Sequence, residues 1–201
     1  MQNRNSPQDV CYAIITTVRG SCGLVWSHTA TKPVQLLRLF PACQDAERQR
    51  RSIRKEFQVA KWSGDHKARL PVCLRPLAGF LMAYYAGDIN RAVKLQPDWP
   101  WLRKHLPWAD QNEFGRKVLA ATFNIKAGTT ISYKKLALRI GRPRAARAVG
   151  GALARNPWPI LIPCHRVLGS DGSMTGFSGY GAVVAKRWML EMERSCQTLY
   201  R

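Results

Sequence analysis

Ser132–Pro157 reads SYKKLALRIGRPRAARAVGGALARNP. A serine opens the run where a helix needs an N-cap acceptor. Leu136, Ala137 and Ile140 then recur at helical core spacing, and Gly141 sits where a left-handed C′ residue ends a helix. Pro143 fits the first turn of a second helix that runs on through Ala145–Gly151 until Asn156-Pro157 stops it. Helix, tight glycine turn, helix is the syntax of a helix-turn-helix. A major-groove reader presents Gln, Asn, Arg or Lys to base edges. This second helix offers Ala145, Ala146, Ala148, Gly150 and Gly151 around one long side chain, Arg147. Small residues allow close backbone approach to a narrow groove, and a lone arginine on such a face has the shape of a wedge. The two glycines cost the helix about 1 kcal/mol each relative to alanine, a cost that close packing against something would explain.

The next stretch, Pro157–Val167, reads PWPILIPCHRV. The apolar run Ile160-Leu161-Ile162 predicts a buried strand that delivers Cys164 and His165 at its end. Cys164 has three readings: a packed thiol, a metal ligand or a nucleophile. No other cysteine lies between residues 74 and 163, so a zinc-type pair is missing nearby. A nucleophile needs a base, because a free thiol with a pKa of about 8.5 is mostly protonated at neutral pH. His165 is adjacent, but neighbours on an extended strand point to opposite faces, so contact would have to run through water. The imidazole would in turn need an orienting carboxylate. Glu191 and Glu193 lie on a final helix, about Val184–Ser195, whose expected packing face is Val184, Trp188 and Met192.

Outward from these stretches, the 201 residues hold 32 Lys plus Arg against 12 Asp plus Glu, a formal net charge of +20. Such an excess points to a polyanionic partner, most simply nucleic acid. Cysteines at 11, 22, 43, 73, 164 and 196 show no C-x-x-C spacing. With a polar Met1–Val10 and no long apolar run, the expectation is a reduced intracellular protein with free thiols and no membrane span. The first half predicts strands over Val10–Arg19, Cys22–His28 and Val34–Phe40, a basic helix over Ala46–Ala60 and an apolar helix over Leu77–Tyr85. Arg48, Arg50, Arg51, Arg54 and Lys55 read as a solvated face of the basic helix. Gln96–Gln111, with three tryptophans and three prolines, reads as a loop containing the domain boundary, and Glu113–Phe123 as a helix capped by Asn112, with Phe114, Val118 and Ala121 on one face.

Four motifs in order, ISYKKLA at 131–137, RAVGGALARNP at 147–157, PCHRV at 163–167 and GSMTGFSGYG at 172–181, resemble the O6-alkylguanine-DNA alkyltransferases. The resemblance covers roughly residues 112 to 195. It implies an α+β protein: an N-terminal RNase H-like α/β domain with its connecting loop over residues 1–106, then a winged-helix or helix-turn-helix alkyltransferase domain over 107–201. It implies DNA repair by direct damage reversal, in which Cys164 takes an alkyl group from a flipped O6-alkylguanine and keeps it, one lesion per molecule. His165 and Glu193 complete the implied catalytic array, Glu193 being favoured over Glu191 because it follows Lys186 by seven residues. Tyr133 is implied to rotate the 3′ phosphate and protonate the base. Arg147 is implied to fill the vacated space in the duplex, with Ser132, Ala145 and Ala146 also at the DNA. Asn156, Pro159, Val167, Ser178 and Lys186 are the implied pocket residues. The implied partner is double-stranded DNA and the implied state monomeric, in cytoplasm or nucleus. No cofactor is implied. Some relatives hold zinc in the N-terminal domain; Cys11, Cys22, His28 and His105 are the candidates here, at poorly matching spacing. Between Phe177 and Lys186 the chain holds two residues more than the family pattern, in the loop that would close the alkyl pocket.

Overall fold

A computed structural model describes residues 10–28, 33–57, 61–62, 70–174 and 182–198. The chain divides into two compact units, Met1–Pro107 and Trp108–Arg201. Both mix helices with a small sheet.

In the first unit, β1 (Val10–Thr17), β2 (Gly20–Ser27) and β3 (Gln35–Cys43) form an antiparallel meander, and β4 (Lys61–Trp62) pairs with β1 in parallel. The hairpin register runs from Val10↔Ser27 to Thr17↔Gly20. Gly20 therefore opens the return strand. Its φ is +115°, and a Cβ there would collide with the Cys43 carbonyl, so only glycine fits. Val10, Tyr12 and Ile14 alternate onto one face and pack with Val25 and Ile53. Ala13 and Ile15, on the other face, are equally buried.

Helix α1 (Ala46–Glu56) begins where Asp45 accepts hydrogen bonds from the Glu47 and Arg48 amides. Its inward face is Gln49 and Ile53, which leaves Arg48, Arg51, Arg54 and Lys55 exposed. Helices α2 (Arg75–Tyr85) and α3 (Ile89–Leu95) pack together, and α2 lies against β1. The predicted loop over residues 96–111 instead contains α4 (Trp99–His105). Asp98 caps it by accepting from the Trp101 amide, and Pro100 occupies its first turn, where a proline costs no hydrogen bond. Trp101 Nε1 donates to the Cys73 carbonyl at 2.9 Å and His105 Nδ1 pairs with the Val34 carbonyl at 2.8 Å.

In the second unit, α5 (Glu113–Phe123) is capped by Asn112, whose side chain accepts from the Gly115 amide at 2.7 Å. Its buried stripe is Gly115, Val118, Leu119 and Thr122, so Phe114 and Ala121 flank the core instead of centring it. A turn through Gly128 leads to β5 (Ile131–Ser132), which runs straight into α6 (Tyr133–Arg139). Ser132 caps α6 through the Lys135 amide, and Gly141, at φ +71°, follows its end. Pro143 lies in the turn before α7 (Ala146–Ala154), not in its first helical turn, because Ala145 is the N-cap. A 3-10 turn, Cys164–Arg166, precedes β6 (Val167–Leu168), which pairs in parallel with β5. Helix α8 (Ala182–Thr198) follows. It buries Lys186, Met189, Leu190 and Glu193, whereas Val184 is 72% exposed. The packing face is thus offset from the Val184–Trp188–Met192 stripe. No helix among the described residues is long and apolar enough to cross a membrane.

Candidate active site

The parallel pairing of β5 with β6 sets Ile131 opposite Val167 and Ser132 opposite Leu168. It therefore brings the start of α6, with Tyr133, alongside the turn that carries Cys164.

That turn is not the end of a strand. Ile160 has φ +73°, a left-handed conformation rare for a β-branched residue and one that stores strain. Its side chain is nonetheless 2% exposed, so packing holds the backbone there. The Ile162 amide donates back to the Trp158 carbonyl, and the Cys164 amide to the Ile162 carbonyl, both at 2.8 Å. Pro163, at φ −79° and ψ 66°, makes that last link an inverse γ-turn. Cys164, His165 and Arg166 then form one turn of 3-10 helix, so the opposite-faces expectation for Cys164 and His165 does not apply. Three-residue periodicity fans their side chains in different directions, and all three residues are buried.

Glu193, fully buried on α8, collects the other polar groups. Its Oε1 lies 2.9 Å from His165 Nε2 and 2.8 Å from Arg166 Nη2. Its Oε2 accepts from Arg166 Nε at 2.9 Å and from the Gly128 amide at 3.0 Å. Burial alone would raise its pKa; the His165 and Arg166 hydrogen bonds and charges outweigh that and hold the carboxyl far below the usual carboxylate range. Burial lowers the His165 pKa below 6.5, against the pull of Glu193 and with help from the Arg166 and Lys186 charges. A neutral imidazole beside a fixed carboxylate donates from Nε2, which makes Nδ1 its basic nitrogen.

Burial pushes the Cys164 thiol up from 9.0, opposed by a hydrogen bond from the Asn156 side chain and by the Lys186 charge. The resting sulfur is therefore a thiol whose anion the Asn156 side chain and the Lys186 charge favour. Asn156 follows α7; its Nδ2 donates to the Ile162 carbonyl at 2.9 Å, and its Oδ1 accepts from the Trp158 amide at 3.0 Å. Lys186 Nζ donates to the Val167 carbonyl at 2.8 Å and sits 5.9 Å from the Tyr133 ring centroid. Burial and the nearby Cys164 sulfur raise the Tyr133 phenol above 10.0, so it rests as a proton donor.

Cys164, His165, Glu193, Tyr133, Asn156, Val167 and Lys186 are thus brought together. Pro159 is half-buried and bridges to Ile162. Ser132 and Ala145 serve as N-caps of α6 and α7, Ala146 opens α7, and Arg147 is exposed on it. Ser178 and most of the loop expected to close the pocket lie outside the described residues. Arg166 and the Gly128 amide have no role in the sequence reading, although a buried glutamate next to a histidine needs further donors, and the arginine beside His165 is one. Among the described residues no three His, Cys, Asp or Glu side chains gather as a metal site, and His105 is committed to Val34.

Residues 113–195 match the model of the 6-O-methylguanine DNA methyltransferase DNA-binding domain. The methylated-DNA–protein-cysteine methyltransferase of Methanosarcina barkeri is 38% identical over 122 residues, 60% of this chain and 68% of that protein. The chain belongs to the methylated-DNA–protein-cysteine methyltransferase family. The mouse member is 51% identical over 90 residues, 44% of this chain and only 42% of the mouse protein, so the chain matches less than half the length of that relative. A Mycobacterium tuberculosis OGT, crystallised in complex with DNA, shares 30% identity with a TM-score of 0.59, covering 92% of each chain. A crystal structure of the Mycobacterium tuberculosis O6-methylguanine methyltransferase superposes with a TM-score of 0.61, again at 30% identity, over 96% of this chain and 99% of that one.

Proposed function

We propose that the protein repairs DNA by moving an alkyl group from O6 of guanine onto Cys164, once and irreversibly. The observation that carries the reading is a buried thiol flanked by a neutral histidine anchored on an ionised glutamate, within a stretch that matches the family over residues 113–195. Residues 1–106, which fall within the first compact unit, are read as an RNase H-like domain. Residues 107–201 are read as the alkyltransferase domain, with α6, the Gly141 turn and α7 as a helix-turn-helix of winged-helix type. The partner is double-stranded DNA, bound by a monomer inside the cell; the net charge of +20 favours it.

In this reading α7 lies in the minor groove with Ala145, Ala146 and the two glycines close to the backbone. Arg147 fills the space of the flipped nucleotide, offsetting part of an unstacking cost of a few kcal/mol. Ser132 and Tyr133 face the phosphate. The base enters a pocket bordered by Pro159, Val167 and Ser178. The Cys164 proton passes through water to His165 Nδ1, and the imidazolium is held by Glu193. The sulfur then attacks the alkyl carbon; the S–C bond forms as the C–O6 bond breaks, and Tyr133 donates a proton to the departing guanine. Asn156 and Lys186 stabilise the developing thiolate, and Lys186 holds the Val167 backbone. A modest nucleophile suffices because binding makes the displacement local.

Intact-mass measurement after exposure to O6-methylguanine duplex tests the reading. One methyl on a peptide containing Cys164, and no second turnover, is the expected result. Cys164→Ser should give no adduct yet bind DNA like wild type. Unmodified wild-type protein, or continued turnover, would overturn it.

A further inference from the structure

We propose that Arg166 is a positioning residue of this site: its guanidinium ties Glu193 to the Ile125–Gly128 turn and so fixes which ring nitrogen of His165 carries the proton. The inference rests on the alkyl-transfer reading for its kinetic consequence, but not for its structural one.

Arg166 is 6% exposed and Glu193 0%. Arg166 Nε reaches both glutamate oxygens, at 3.2 and 2.9 Å, and Nη2 reaches Oε1 at 2.8 Å. Nη1 donates to the Ile125 carbonyl. The Gly128 amide donates to Oε2. An ionised carboxylate offers about four lone-pair sites and no proton. Arginine and amide donors can only donate, so they occupy the carboxylate as an acceptor. A proton on either oxygen would face an N–H. His165 Nε2, at 2.9 Å from the same oxygen, must then also be a donor. That leaves the lone pair on Nδ1.

Arg166 adds a second link. Ile125 and Gly128 belong to the turn between α5 and β5, and β5 leads into Ser132 and Tyr133. The guanidinium grips the carboxylate and that turn at once, so Glu193 cannot swing without breaking contacts to both. A lysine would keep the charge but lose the planar fork. Other charged or titratable groups bearing on His165 among the described residues include Lys186 from α8 and Glu193 itself, with the Cys164 thiol one residue away.

The test uses the 201-residue protein, nitrogen-15 spectra of the His165 ring and transfer from free O6-benzylguanine, a probe that needs no DNA contact. Wild type should show the Nε2–H form. Arg166→Gln should bring in the Nδ1–H form, slow transfer on the order of 10-fold to 100-fold, and move the acid limb of the rate profile to higher pH. Arg166→Lys should fall between. On a Glu193→Gln background Arg166→Gln should cost nothing more. A wild-type tautomer and rate in Arg166→Gln would overturn the proposal, as would an equal loss with and without Glu193. Should Arg166→Gln fail to fold, Arg166→Lys and the Arg166→Gln/Glu193→Gln double variant, which leaves no lone buried charge, carry the same comparison. Wild type that shows the Nε2–H form without alkyl transfer would sink the functional reading and leave Arg166's role standing.

Discussion

Gly151→Ala should make the protein more stable and, on the proposed function, slower to take an alkyl group from duplex DNA. Gly151 lies inside the nine-residue helix α7, where alanine is preferred to glycine by about 1 kcal/mol. The gain is realised only if the new methyl has room. A Cβ built at Gly151 meets the Arg155 guanidinium at 3.7 Å as its nearest neighbour, an ordinary contact with a movable side chain. At Gly150 the nearest atom is on the Tyr133 ring at 3.8 Å. Packing among the described residues therefore does not demand glycine at either position, and the cost in helix stability points to something outside them. In a unit of this size, about 1 kcal/mol corresponds to a melting shift of about 4–8 °C, upward here. If a groove wall approaches this face, an added methyl displaces it, and a displacement of about 1 Å can cost on the order of 100-fold in rate. Thermal unfolding by circular dichroism gives the first quantity. Transfer from duplex O6-methylguanine and from free O6-benzylguanine gives the second. The expected pattern is a higher melting temperature, an unchanged free-base rate and a duplex rate lowered at least several-fold. A lowered melting temperature, or unimpaired duplex repair, would refute the argument.

Glu193→Gln should cost about 3–5 kcal/mol in urea unfolding, because it strands the buried Arg166 charge; a loss under about 1 kcal/mol would show that the carboxylate is not the anchor. Arg147→Ala, exposed on α7, should leave stability unchanged and impair duplex transfer much more than free-base transfer; equal losses would remove its wedge role. Folding stability should fall on acidification from about pH 6.5, measured by chemical denaturation at stepped pH. His165 has a lowered folded pKa, so its contribution is present above the unfolded value and fades below it, and Glu193 repeats the pattern in more acid solution. The sign reverses in alkali: the raised Cys164 pKa makes its contribution full below 9.0 and lost above.

Sequence reading succeeds where a residue's chemistry is local. Asn112 and Ser132 are short acceptors before apolar periodicity, and both cap the helices that the pattern starts. Gly141 ends α6 with a positive φ that other residues resist. It fails where tertiary packing overrides the local signal. Ile160-Leu161-Ile162 looks like a strand, yet two flanking prolines and a buried left-handed isoleucine fold it into turns. The phase of α8 is misread for a related reason. Hydropathy assigns Lys186 and Glu193 to solvent and Val184 to the core, whereas the two ionisable residues are buried by the hydrogen bonds they serve. Glu193 is still identifiable from its spacing to Lys186, which is information of resemblance and not of hydropathy.

The protonation states of the site fit the proposed single-use alkyl acceptor. A thiol pushed up by burial is poorly ionised at rest and so reacts slowly with stray electrophiles and oxidants. A permanently ionised thiolate would be faster but would also be consumed without a lesion. The fold instead keeps the thiol neutral and stores the means to ionise it. Asn156 and Lys186 wait for the anion, and His165, itself neutral, can take the proton with Glu193 already charged behind it. The lowered histidine pKa works against holding that proton for long. In the proposed transfer the proton leaves as the sulfur's charge is lost into a new bond, which would couple ionisation to displacement. On the proposed reading, burial of Cys164 is a gate on chemistry, opened by an alkyl carbon held in line with the sulfur.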